Sequence, residues 1–488
     1  MQRHFAINII FLITLNLIIK PFWIFGIDRT IQNTVGSEAY GIYFAIFNFT
    51  FLFNGILDLG LSNYNSWSVA KRLETAGIHF KKMASLKLGL GLVYLILTII
   101  IGFLMGYKNV AFELLLILSG SQFLLSYVLF LRSSIAGQQL FWIDSIFSVL
   151  DRLLLIIICG ILLWTPLLGS EFSIEMLAWG QLAAYGIVIL LAHIIFWNHT
   201  QLQFGFQAIG FPDIKNLMMK GLPFAAIILF MSMYYRLDAV MLQKLLPDGN
   251  YWSGIYAQGY RIFDMLNNFT YLFTAILFPL CTRMISKNEN IWPVVQIAIK
   301  LLTIPAVLVI SLSVFYHHDI IALLYHDISP QSAIVLVILL LAFPLLIFSS
   351  IFGTVLTANG NLKDMVALSV TCFILNILAN YVFIPEYQSI GAASATLISQ
   401  GFMAIGTLLL VMKKMSYRPS LQSNGKVIVL CVGVFLNSWI CATQDISLIL
   451  CVSISLPFMV FAILVLKIVE AKEIFALLRS KTSTSYPE

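Results

Sequence analysis

The chain has 488 residues, of which 60% are hydrophobic and only 10% charged, with a mean hydropathy of +0.94; a soluble globule cannot draw a polar exterior from that composition. The protein must use lipid as its solvent. Its net charge of +6 reflects basic loops meeting anionic headgroups and is no sign of nucleic-acid binding.

A helix needs roughly 20 apolar residues to cross a hydrocarbon core of about 30 Å, and only helices or closed barrels satisfy their own backbone there. Runs such as 153–164 and 335–348 are apolar on every side, which excludes barrel alternation and predicts an all-α integral membrane protein. In chain order the fourteen predicted spans are 6–27, 40–64, 85–106, 110–131, 143–165, 175–197, 220–244, 253–280, 293–316, 331–355, 365–385, 390–412, 427–443 and 447–467. The first has no small-residue cleavage site after it, so it reads as a retained helix rather than a signal peptide.

After the sixth span, the stretch 198–219 carries Gly205, Gly210 and Pro212, with Gly221 just beyond, and reads as a linker. The expected organisation is an N-terminal six-helix lobe over 1–205, a second over 206–416, and two extra helices with a cytoplasmic tail over 417–488. Six spans per lobe make the repeat parallel, related by an axis along the membrane normal. One echo fits: Gly41-Ile42-Tyr43 opens the second span and Gly254-Ile255-Tyr256 the eighth.

Cations in short loops mark the cytoplasmic side. Arg3, Lys71, Arg72, Lys81, Lys82, Arg132, Lys215, Lys220, Arg283, Lys287, Lys363, Lys413, Lys414, Arg418, Lys426, Lys472, Arg479 and Lys481 fall on one side. The other has few beyond Arg29, Lys108 and Lys244 and carries Glu38, Glu171, Asp248, Asp319, Asp327, Glu386 and Asp445. Both termini are therefore expected in the cytoplasm. The six cysteines lie in or at the ends of spans without a C-x-x-C pair, and read as core residues.

Charges within spans are costly and suggest functional sites. Those in or near the interior are Lys20, Asp58, Glu113, Asp151, Arg152, Arg236, Asp238, Arg261, Asp264 and Lys300. Arg261 and Asp264, three apart, share a helix face and are open to an internal ion pair; Arg236 and Asp238, two apart, point differently, so Arg236 seeks an external anion or an acid on another helix. Pro21, Pro223, Pro279, Pro305 and Pro344 mark bends, and Pro21 follows Lys20 directly. Counting along the helices puts Arg236 about 24 Å from one boundary and Arg261 about 12 Å from the other. Their depths thus overlap, as shared binding of one anion requires. His317, His318 and His326 beside Asp319 and Asp327 read as a solvated face rather than a metal site, and no cofactor is expected. There is no phosphate loop for ATP, and no soluble loop exceeds roughly 25 residues, which leaves no room for the catalytic domain of a membrane glycan transferase.

Several patches carry a family resemblance. They are Gly36-Ser37-Glu38-Ala39-Tyr40-Gly41-Ile42-Tyr43, Asp58-Leu59-Gly60-Leu61 followed by Ala70-Lys71, and above all 235–242, Tyr-Arg-Leu-Asp-Ala-Val-Met-Leu, leading to Gly254-Ile255-Tyr256. Thr357-Ala358-Asn359-Gly360, Leu375-Asn376, Ile384-Pro385-Glu386-Tyr387 and Gly391-Ala392-Ala393 extend it, with Gln388 in place of a common glycine. Together they resemble the Wzx-type polysaccharide flippases of the multidrug, oligosaccharidyl-lipid and polysaccharide (MOP) exporter superfamily.

The resemblance implies a MATE-like pair of lobes in the bacterial inner membrane, around a cavity open alternately to each side. It also implies outward passage of an undecaprenyl-pyrophosphate-linked oligosaccharide, with membrane lipids and other polysaccharide-assembly proteins, such as a polymerase and a chain-length regulator, as partners. Lys20, Arg236, Arg261 and Lys300 are the expected contacts to the pyrophosphate, since an arginine fork suits phosphate oxygens. Asp58, Asp238 and Asp264 are the candidates for ion coupling. Competing readings are a lipid-linked peptidoglycan-precursor flippase, a MATE-like small-molecule antiporter, whose cationic substrates suit a mixed-to-basic interior poorly, a membrane glycan enzyme, and a structural partner of a synthase complex.

Overall fold

The computed structural model describes residues 14–62, 65–66, 69, 76–138, 140–165, 171–199, 205, 207, 211–415, 421–466 and 468. Among them there is no strand. The helices are α1 (14–22), α2 (Arg29–Leu52), α3 (Asn54–Asp58), α4 (Ala76–Leu104), α5 (Val110–Gly137), α6 (Phe141–Trp164) and α7 (Ile174–His199). They continue with α8 (Phe211–Leu245), α9 (Gly249–Ser286), α10 (Trp292–Leu324), α11 (Pro330–Ala358), α12 (Leu362–Met415), α13 (Leu421–Thr443) and α14 (Leu448–Leu466). Eleven helices among the described residues are long and apolar enough to cross a membrane, as a multi-pass membrane protein requires.

Local chemistry explains where helices bend. Pro21 lacks the N–H that would continue the ladder, and the chain runs from α1 into α2 through a π-helical turn, Trp23–Asp28. The expected loop after residue 27 is therefore helical, except at Gly36, whose φ of 81° and ψ of 166° break α2. Only glycine adopts that backbone without strain. Farther on, the second span ends in a left-handed pair, Leu59 at φ 45° and Gly60 at φ 78°.

Two other boundaries shift. The chain is already helical from Phe211, within the expected linker 198–219, with Pro212 in the first turn, where a missing N–H costs nothing. At 54 residues, α12 is too long for one crossing and is broken at Gln388, with φ 48° and ψ −121°. It holds two predicted spans, 365–385 and 390–412, and the predicted count of fourteen is compatible with the observed helices.

Packing groups the chain into two units, Met1–Ala257 with Asn380–Ala392, and Gln258–Ala379 with Ala393–Glu488. This division follows different lines from the expected lobes, which rest on span parity. In the first unit α2 touches α5, α7 and α8, while α5 also packs on α4 and α7. An apolar cluster containing Phe80, Phe130, Leu131, Ile135 and Phe147 lies there. In the second unit α10 packs against α11, α13 and α14. Large apolar side chains such as Phe103, Leu190 and Leu464 are exposed, as expected of surfaces bathed in lipid.

The Gly-Ile-Tyr echo has a structural counterpart inside the first unit. A Cβ on Gly41 would lie 1.8 Å from the Asn250 carbonyl oxygen, and one on Gly254 would lie 1.9 Å from that of Ser37. One sequence offset relates Gly41 to Gly254 and Ser37 to Asn250, so the contact is reciprocal, as a two-fold relation demands. Gln32 adds a hydrogen bond, its Nε2 donating to the Gly254 carbonyl at 3.0 Å.

Candidate functional site

The first unit holds most of the described polar chemistry. Arg236 projects half-buried from α8 toward α2, where its guanidinium donates to Asn48 Oδ1 at 3.1 Å and lies 4.5 Å from the centre of the Phe51 ring and 6.0 Å from that of Phe47. Aromatic faces stabilise a cation while leaving donor edges in the plane of the fork for an anion. Two residues on, Asp238 is 1% exposed. Its carboxylate accepts from Asn380 Nδ2 at 2.6 Å and from Tyr256 Oη at 3.0 Å. Tyr256 belongs to the second Gly-Ile-Tyr triplet, so the close helix approach at Gly254 also delivers the hydroxyl that holds this acid.

Asp58 stands in a different setting. It ends α3, accepts a hydrogen bond from Ser62 and pairs with Lys87 at 2.7 Å. Lys87 is 1% exposed and lies well inside α4, a buried cation that reading the sequence passed over. Asp28 was passed over too. It closes the π-helical turn, is 2% exposed and accepts from Tyr40 Oη at 2.8 Å. Nearby hydroxyls and amides form a chain, Tyr43 Oη donating to Gln181 Oε1 at 3.1 Å and Gln181 Nε2 to Tyr185 Oη at 3.4 Å. Arg152 lies 3.7 Å from Asp151 and 5.9 Å from the Trp23 ring centre.

The remaining expected residues are more scattered. Lys20 is half-buried on α1, one residue before Pro21. Arg261, 9% exposed, and the half-buried Asp264 lie on the part of α9 belonging to the second unit. Lys300 is half-buried on α10 and makes no hydrogen bond or ion pair among the described residues. His317 places Nδ1 against the Val314 carbonyl at 3.0 Å, and no group of three or more His, Cys, Asp or Glu side chains suited to a metal occurs among the described residues. The turn between α4 and α5 is pinned to the end of α8: Tyr107 Oη donates to Gln243 Oε1 at 3.0 Å, Lys244 Nζ lies 3.8 Å from the Tyr107 ring centre, and burial pushes the Tyr107 phenol up.

Comparison with known proteins places this geometry in a family. Residues 5–285, more than half the chain, match the family described as polysaccharide biosynthesis protein. No curated protein sequence matches the chain. Among solved structures, the lipid II flippase MurJ in an inward closed conformation superposes with a TM-score of 0.68 at 16% identity, over 95% of this chain and 97% of that one. An inward-facing multidrug resistance MATE family transporter of the MOP superfamily gives 0.61 at 16% identity, over 83% and 94%. A MOP superfamily transporter from Pyrococcus furiosus, described as having a binding pocket of reversed polarity, gives 0.57 at 17% identity, over 84% and 94%. The fold is thus that of the MOP superfamily, and by the match over its first 285 residues the chain belongs to the polysaccharide biosynthesis protein family.

Proposed function

We propose that this protein is a flippase that carries an undecaprenyl-pyrophosphate-linked oligosaccharide from the cytoplasmic to the outer leaflet by alternating access, supplying polysaccharide assembly in a bacterial inner membrane. The observation that carries this reading is Arg236, a half-buried guanidinium within a membrane-spanning helix, cradled by Asn48, Phe47 and Phe51, in a chain of the polysaccharide biosynthesis family. A guanidinium set beside an amide and two aromatic rings offers bidentate donors to phosphate oxygens, and the lipid tail can stay in hydrocarbon while the headgroup crosses. Lys20, Arg261 and Lys300 complete the proposed set of headgroup cations. Asp238, held by Tyr256 and Asn380, is the proposed coupling acid, with Asp264 as a second candidate; Asp58 is engaged by Lys87.

A second reading, a flippase for a lipid-linked peptidoglycan precursor, is favoured by the match to MurJ across 95% of this chain, and its substrate shares the pyrophosphate. Deleting the gene and then supplying it to cells depleted of their own precursor flippase separates the two. The polysaccharide reading expects lipid-linked oligosaccharide to accumulate on the cytoplasmic face of the deletion strain, with normal cell-wall synthesis and no rescue of the depleted cells. Rescue of those cells, without oligosaccharide accumulation in the deletion strain, would replace it with the second reading.

A further inference from the structure

Cys441 lies in the last turn of α13 and Cys451 in the first turn of α14. Their side chains are 3% and 0% exposed and share an apolar cluster with Tyr316. The backbone around them is fixed by the turn. Asp445 adopts a left-handed φ of 51°, which lets the Ile446 N–H fold back onto the Cys441 carbonyl at 3.0 Å, a helix-ending motif. On the other arm the Cys451 N–H donates to the Ser447 carbonyl at 2.9 Å. Tyr316, at the break in α10, donates its hydroxyl to the Ile446 carbonyl at 2.9 Å, so a third helix holds the turn.

The charge pattern gives this turn a side. Lys413, Lys414, Arg418 and Lys426 precede the body of α13 and Lys472, Arg479 and Lys481 follow α14, whereas 444–447 contains an aspartate and no cation. By the distribution of positive charge the turn faces away from the cytoplasm, toward the compartment where disulfides persist.

We propose that Cys441 and Cys451, free thiols in this structure, are joined by a disulfide in the mature protein, closing the α13–α14 hairpin at its non-cytoplasmic end. The oxidant is an exogenous disulfide. One cysteine thiolate attacks it, forming a mixed disulfide and releasing one oxidant sulfur as a thiol; the second thiolate then displaces the other. One S–S bond forms in the protein, one breaks in the oxidant, and the two thiol protons leave on the oxidant's reduced sulfurs. A bond of about 2.0 Å thereby joins two side chains buried in the same cluster. The Ser311–Ser438 contact at 3.1 Å ties the same hairpin to α10, and none of this depends on what the protein transports.

The test counts thiols in the full-length chain, expressed in its own membrane, acid-trapped, denatured and reacted with a polyethylene-glycol maleimide. With six cysteines in the sequence, the proposal expects four adducts without reductant and six with it; six in both conditions overturns it. A variant with Cys159, Cys281, Cys372 and Cys431 all changed to alanine should give none and two, and two adducts in both conditions would also overturn the proposal. Adding Cys451→Ala should leave one adduct after reduction. An alkaline phosphatase fusion at Asp445 checks the compartment. Activity is expected, and an inactive fusion puts the thiols in a reducing compartment and removes the proposal without touching the flippase reading.

Discussion

Lys87 is 1% exposed and its ammonium lies 2.7 Å from Asp58, whose side chain is 36% exposed. Removing one partner of a buried pair leaves a charge uncompensated and costs about 3–5 kcal/mol. Asp58→Asn should destabilise by about 3 kcal/mol, the lower end because Asp58 is half-open, and Asp58→Asn with Lys87→Met by less than the sum of the singles. Thermal unfolding of purified protein reads this; strict additivity would mean that the pair is not coupled. Asp238 calls for a different outcome. A phenol and an amide are among its partners, and an asparagine can hydrogen-bond both, so Asp238→Asn should keep near-normal protein levels and lose the gradient dependence of flipping, and full gradient dependence would remove this acid from the mechanism. Asp58, Arg236 and Asp238 were legible in the sequence because they interrupt apolar runs. Lys87 was not, because it follows Lys81 and Lys82 closely and reads as part of the same basic boundary, whereas α4 is helical from Ala76. Asp28 sat just past the expected end of the first span, and the π-helical turn that keeps it inside helix leaves no signature beyond Pro21.

Among the elements, the α2–α9 approach is the most sensitive to a single methyl. The positions a Cβ would take on Gly41 and Gly254 lie 1.8 and 1.9 Å from backbone oxygens, and backbone cannot rotate aside as a side chain can. Overpacking of this kind typically costs about 1–3 kcal/mol. Gly41→Ala and Gly254→Ala should each fall at the upper end, measured as a lowered melting temperature, and a Gly89→Ala control, with open space around it, should cost far less. Equal melting temperatures for all three would show that the helices do not approach this closely. The two triplets were visible as a repeat in the sequence, but their reciprocal contact was not, since an echo says nothing of which copies touch. Long apolar runs set the helix class for the same reason that they obscured boundaries. In α12 the turn itself was legible, since the predicted spans 365–385 and 390–412 bracket Gln388, which holds the left-handed position beside Pro385 and Glu386.

At the level of the whole molecule, lipid compatibility was written in composition, while the grouping of α9 and α12 residues into packing units depends on tertiary contacts that no periodicity carries. Sidedness gives its own test: reporter fusions after Lys414 and after Arg479 should both report the cytoplasm, and a non-cytoplasmic signal from the second would change the span count at α13 or α14. The proposal of an anionic headgroup rests on the cations inside the protein, Arg236 beside Asn48 and Phe51 in the first unit and Arg261, 9% exposed, in the second. The most direct measurement is surface glycan, with membrane-inserted protein quantified in parallel, in strains carrying Arg236→Ala or Arg261→Ala and the matching Arg→Lys variants. The account predicts loss of surface glycan for either alanine at normal protein level, and partial recovery with lysine, which keeps the charge but not the bidentate fork. Normal surface glycan in both alanine strains would contradict it.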